Sequence, residues 1–252
     1  MIRSIKRVAF VSILLFGFVN AIEIKSVAEA VNIAGKQRMY TQRMLKDYAM
    51  VGMKNCFGDP VADLKKIIGE FDDHLKSLIS FNKDQATADS LLIVGKLWEP
   101  IKAELKDSPK KEIVVKLQIS LEELLKEANT ATGLFAKQTG KSSDKIINTS
   151  GRQRMLSQRM ASLYMLKAWG IKDDKFTDKM HKTMDLFKTS LEELIKYEKN
   201  TPEISKLLEK VKKEFMFFEF TDGKDTFVPA LICRKSDSIL KKMNKATGLY
   251  SK

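Results

Sequence analysis

The chain has 252 residues, enough to bury one large core or two of ordinary size. Its 45 Lys and Arg outnumber 32 Asp and Glu, for a formal net charge of +13, but Lys and Glu are interspersed as on a solvated surface, so no nucleic-acid partner is expected. Two His, no C-x-x-C, no Ser/His/Asp set and no Gly-rich phosphate loop leave a metal site, a cofactor and an enzyme without motif support.

Residues 1–21 read as a signal peptide: Arg3, Lys6 and Arg7 are basic, Val8 to Phe18 apolar, and Val19-Asn20-Ala21 a small-residue cleavage pattern. Cleavage after Ala21 predicts an exported periplasmic protein whose charge falls by three to +10; the alternative is an inner-membrane anchor through an uncleaved N-terminus. A first helix is expected from Ser26 to about Asn55, with apolar residues at three- and four-residue spacing. Asp59-Pro60, Ser108-Pro109 and Thr201-Pro202 each place a capping residue before a proline at the first helical position, and Asp84 and Asp174 are further candidate caps. Leu117, Leu121, Leu124, Leu125, Ala128 and Phe135 form one apolar stripe, and Ile232, Ile239, Leu240, Met243, Ala246 and Tyr250 another. The best strand candidate, Phe215 to Phe220, reads better as a helix end, and Thr139 to Asp144 as a break between helices.

Elements recur because the sequence does. Residues 32–44 read NIAGKQRMYTQRM and residues 148–160 read NTSGRQRMLSQRM, with eight of 13 positions identical at an offset of 116. Phe71, Leu75, Leu78 and Ile79 return as Phe187, Leu191, Leu194 and Ile195, and Ala131-Thr132-Gly133-Leu134-Phe135 is answered by Ala246-Thr247-Gly248-Leu249-Tyr250. The expected architecture is all-α: two tandem antiparallel four-helix bundles, copy one over 22–140 and copy two over 141–252.

Within the repeated box, Arg38 shares a helix face with Ala34, Thr41, Gln42 and Leu45, and Arg154 with Ser150, Ser157, Gln158 and Ala161. Gly35 and Gly151 sit mid-helix, where glycine costs about 1 kcal/mol against alanine, so a packing reason is expected. Arg43 and Arg159 point elsewhere, about 140° round the helix at about 100° per residue. Two readings follow. Arg38 and Arg154 face each other and clamp a small planar anion through charge-assisted donors, or each pairs with a carboxylate of a neighbouring helix while Met39, Met44, Met155 and Met160 fill the core.

The box resembles the signature of the NarX-like sensor domain, the family also named for the N-terminal domain of the type IV pilus chemotaxis transducer PilJ. The residues that carry the likeness are Asn32, Ala34-Gly35, Gln37-Arg38-Met39 and Thr41-Gln42-Arg43-Met44, then Asn148, Gly151-Arg152-Gln153-Arg154-Met155 and Ser157-Gln158-Arg159-Met160. The resemblance implies a periplasmic four-helix sensor whose first box arginines, here Arg38 and Arg154, share one ligand site, with nitrate or nitrite as the foremost ligand. Gly35, Gly151, Thr41, Gln42, Ser157, Gln158, Arg43 and Arg159 would support it. Two copies in one chain imply an internal pseudo-dimer, packed side by side, that passes its state to a separate membrane-bound kinase or chemoreceptor. In that arrangement Cys56, about 27 Å along the helix from Arg38 at 1.5 Å per residue, would meet Cys233 and staple the copies. A helical interaction scaffold with no small-molecule ligand is the alternative.

Overall fold

The computed structural model describes residues 22–54, 57–138, 142–224 and 226–251; the expected signal peptide, residues 1–21, lies outside them. The described residues form eight helices and no strand: α1 (Val27–Gly52), α2 (Pro60–Phe81), α3 (Gln85–Lys106), α4 (Lys111–Lys137), α5 (Ser142–Ala168), α6 (Phe176–Ile195), α7 (Pro202–Thr221) and α8 (Pro229–Tyr250).

Local chemistry fixes most helix starts. Ser26 Oγ accepts the Glu29 N–H at 3.1 Å, and the Glu29 carboxylate reaches back to the Lys25 N–H at 2.9 Å, a variant of the reciprocal N-terminal cap. Asp59, Asp84 and Thr201 accept the N–H groups of Ala62, Thr87 and Ile204, as their positions before α2, α3 and α7 predict. Two expected caps are corrected. Ser108-Pro109 does not open α4, because the Lys110 N–H is taken by Tyr48 Oη at 3.1 Å and the helix begins at Lys111. Asp174 does not cap α6. The N-cap is Lys175, with no side-chain cap hydrogen bond, and the turn before it is held by Asp173, which accepts the Lys175 N–H on its side chain and the Phe176 N–H on its carbonyl. α1 stops at Gly52, short of Asn55, where Lys54 turns to φ 54°. The Phe215–Phe220 segment is helical, as expected, and closes α7.

α1 and α5 lie at the centre and pack against each other along their length. α1 is flanked by α2 and α4, and α3 closes the first bundle against α4 and α2; α5 is flanked by α6 and α8, and α7 closes the second against α8 and α6. The bundles therefore stand side by side, as the repeat predicts. α1 and α5 run in the same direction: Gln42 accepts from Ser162 Oγ at 3.4 Å, and further along the Tyr48 and Trp169 rings lie 6.3 Å apart. Both apolar stripes face inward, with only Tyr250 partly exposed among the residues expected there. Matched aromatic pairs fill the two cores, Phe71 on Trp98 at 4.2 Å and Phe187 on Phe215 at 4.6 Å.

Candidate functional site

The central pair of helices carries the two boxes at the same level. Helical side chains lean toward the N-terminus of their own helix, so each first arginine reaches back along the facing helix toward the start of the other box. Arg38 Nη2 donates to the Asn148 carbonyl at 3.4 Å, and Arg154 Nη2 to the Asn32 carbonyl at 3.2 Å. Both guanidinium groups are 1 % exposed. The glycines between them explain their own presence. A Cβ on Gly35 would meet Arg154 Nη2 at 2.9 Å and Arg38 Nη2 at 3.2 Å, and one on Gly151 would meet the same atoms at 3.0 and 3.3 Å. Each glycine makes room for guanidinium heads from both copies, which is the packing reason sought.

Neutral oxygens surround these cations. Arg38 Nη1 donates to Asn129 Oδ1 at 2.9 Å, while Arg154 Nη1 donates to Asn32 Oδ1 at 2.9 Å and Asn244 Oδ1 at 3.2 Å. Neither arginine forms an ion pair with a described carboxylate, and both Nε atoms are buried with no hydrogen-bond partner among the described residues. Burial, then the facing Arg154 and the nearby Arg152, pulls the Arg38 guanidinium down from its ordinary value to about 9. Burial likewise lowers Arg154 to about 10. Two like charges held apart from water without a counter-charge raise each other's energy, a cost that a negative charge between them would offset.

The carboxylate pairing considered for the first arginines belongs instead to the second. Arg43 lies 3.7 Å from Asp47 and 3.4 Å from Asp63, and Arg159 lies 2.9 Å from Glu122, away from the arginine pair. Thr41 and Ser157 donate their hydroxyls to the carbonyls of Arg38 and Arg154, each at 2.9 Å, so they brace the arginine backbone from behind. Gln42 reaches Glu122 at 3.4 Å and Gln158 the Ser236 carbonyl at 3.1 Å, tying the box to α4 and α8. Gln37 and Gln153 donate to the carbonyls of Phe71 and Phe187, both at 3.0 Å, and fix α1 on α2 and α5 on α6 in the same way.

Asn129 and Asn244 were not singled out by the sequence reading. They occupy matching positions just before the repeated Ala-Thr-Gly-Leu segment, a signal within reach of the repeat alignment. Cys233 is a free, buried thiol whose Sγ lies 3.0 Å from Met50 Sδ, and burial pushes it up to about 12. Cys56, its expected bridging partner, lies outside the described residues. Among the described residues no three His, Cys, Asp or Glu side chains gather as a metal ion requires, and no helix is long and apolar enough to cross a membrane.

Comparison with known proteins bears directly on this pair of boxes. The family described as the type IV pili methyl-accepting chemotaxis transducer N-terminal domain, PilJ, matches residues 22–131 and again residues 135–215. The chain belongs to this family. Membership of the PilJ family gives it a signalling sensor role, in a family of chemotaxis transducers and not of enzymes. No curated protein and no solved structure matches the chain.

Proposed function

We propose that this PilJ-family chain is a periplasmic sensor that binds a small planar oxyanion, nitrate or nitrite first, between Arg38 and Arg154. One observation carries the reading: two fully buried guanidinium groups, one from each copy, converge on Gly35 and Gly151 with neutral asparagines as partners. An unpaired buried cation costs several kcal/mol, and each arginine still has an uncommitted Nε–H. A flat trigonal anion satisfies such donors in the plane of each guanidinium. The two copies are taken as 22–140 and 141–252, divided at the break between α4 and α5, and the bound state is passed to a separate membrane-bound kinase or chemoreceptor.

A thermal-shift titration tests the reading. A ligand bound only by the folded state adds about 2.7 kcal/mol at a hundredfold excess over Kd. Nitrate or nitrite should raise the melting temperature of the wild type and not that of an Arg38→Ala/Arg154→Ala double variant. Absence of any shift, or an equal shift in the variant, defeats the proposal. The scaffold alternative draws on the asparagine oxygens that already engage both arginines. It expects partner binding to survive the arginine changes and Gly35→Leu or Gly151→Leu to harm folding.

A further inference from the structure

A box this deeply buried needs an approach from solvent, and the two faces of the molecule differ in what they offer. Beside Asn129 lies a cleft of about 460 Å³ between α4, α5 and α6. Five cationic side chains line it: Lys126 from α4, Arg152 and Arg159 from α5, and Lys179 and Lys182 from α6. Arg159 is engaged by Glu122 at 2.9 Å and Lys179 by Asp173 at 2.8 Å. Lys126, Arg152 and Lys182 are in no ion pair with a described residue, so their field stays available to an arriving anion. Asn129 is itself solvent-exposed, yet its Oδ1 holds the fully buried Arg38. Asn129 thus lines the basic cleft and touches the box at once.

The mirror face is built differently. Lys36, Arg43, Lys66 and Lys241 stand at the repeat positions of Arg152, Arg159, Lys182 and Lys126, but Asp63 replaces Lys179 and Glu70 replaces Leu186, and these acids pair with Arg43 at 3.4 Å and Lys66 at 3.8 Å. Tyr40, in place of Leu156, is buried there against His74 with ring centres 5.4 Å apart, and the Glu70 carboxylate nearby pushes its phenol up further. Two added acids and a fixed aromatic ring thus stand among the cations of this face and neutralise two of them.

We propose that small oxyanions reach the box through the α4–α5–α6 cleft, collected by Lys126, Arg152 and Lys182 and admitted as Asn129 releases Arg38, while the mirror face stays shut. This rests on the anion-binding reading of the box. Two exposed double variants of equal charge change separate the faces: Lys126→Glu/Lys182→Glu and Lys66→Glu/Lys241→Glu. The nitrate association rate is read from arginine Nε–H line shapes in a low-salt titration of the full chain. The first variant should slow association about tenfold, a gap that added salt closes, and the second less than about twofold. Equal slowing in both variants, or none in either, overturns the proposed route while leaving the box as an anion site. If the wild-type Nε–H signals ignore nitrate altogether, the anion-binding reading falls and the route with it.

Discussion

Gly35→Ala separates an anion receptor from a helix-packing device. The added Cβ would sit 2.9 Å from Arg154 Nη2 and 3.2 Å from Arg38 Nη2, both closer than an ordinary contact. Nothing else lies within 4 Å of it, and both atoms are the terminal nitrogens of long side chains, each held among the described residues only by one long hydrogen bond to a carbonyl. The fold should therefore tolerate the change. Alanine gains about 1 kcal/mol of helix propensity over glycine, which roughly offsets the shift of the guanidinium heads. The ligand-free melting temperature should stay within about 4 °C of the wild type, given about 2–4 °C per kcal/mol for a chain of this size. Anion binding should suffer, because Arg154 Nη2 must withdraw by several tenths of an ångström from the place where the two heads converge. Loss of one charge-assisted hydrogen bond, about 1.5–3 kcal/mol, weakens nitrate binding roughly tenfold to a hundredfold. Thermal melting without ligand and calorimetric titration with nitrate make the measurement. Wild-type affinity in this variant would refute the reasoning, and so would failure to fold.

Further outcomes are open to direct measurement. An anion favours the charged form of both box arginines, so nitrate binding should take up protons near pH 9–10 and weaken as pH rises through about 9, seen by calorimetry in two buffers of different protonation heat. Burial raises Asp47 to about 6, above its unfolded value of 3.8; the folded state then holds more protons between those values, and stability falls as pH rises from about 4 to 6. Asp47→Asn should flatten that slope, worth on the order of 2–3 kcal/mol, in urea melts across the range, while Lys46 keeps its 2.6 Å contact with Asp237. Tyr48→Phe and Tyr164→Phe each remove the acceptor of one backbone N–H, that of Lys110 or Val228, and should cost about 0.5–1.5 kcal/mol apiece, with faster hydrogen exchange at that amide.

The parts of the fold legible in the sequence are those decided locally. Asp59, Asp84 and Thr201 cap their helices through an oxygen and an N–H a few residues apart, so sequence alone places them. Ser108 and Asp174 carried the same signal and failed. The start of α4 is decided by a hydroxyl from Tyr48, 62 residues away, and α6 follows a turn held by Asp173 with no side-chain cap of its own. Arg38, Arg154 and their glycines could be picked out because helical spacing surrounds a long cation with small residues, twice. Asn129 and Asn244 could not be picked out by type, since both are exposed and look like solvated helix surface until the arginines reach them. Lys46 and Asp47 show the opposite failure: adjacent charges read as surface, yet both are about 2 % exposed, with Lys46 reaching Asp237 on α8 of the other copy and Asp47 lying beside Arg43 and Lys46.

Pseudo-symmetry holds where the two copies converge and lapses away from the axis. Arg38 and Arg154, Gly35 and Gly151, Gln37 and Gln153, and Asn129 and Asn244 are matched in type, and each pair shares an equivalent partner, although Arg154 also reaches Asn32 Oδ1 where Asn148 Oδ1 is left without one among the described residues. Off the axis, Tyr40 faces Leu156, Lys46 faces Ser162, Asp47 faces Leu163 and Glu70 faces Leu186 in the repeat alignment. Two separate identical subunits would carry every such change on both faces. Joining the copies in one chain removes that constraint. The shared centre can keep the paired donors that the proposed oxyanion would use, while one flank is tightened by a partly buried Lys46–Asp237 contact and the other keeps its basic cleft open. Here α1 carries the braced flank and α5 the open one, so motion on binding should begin at α5 and α6.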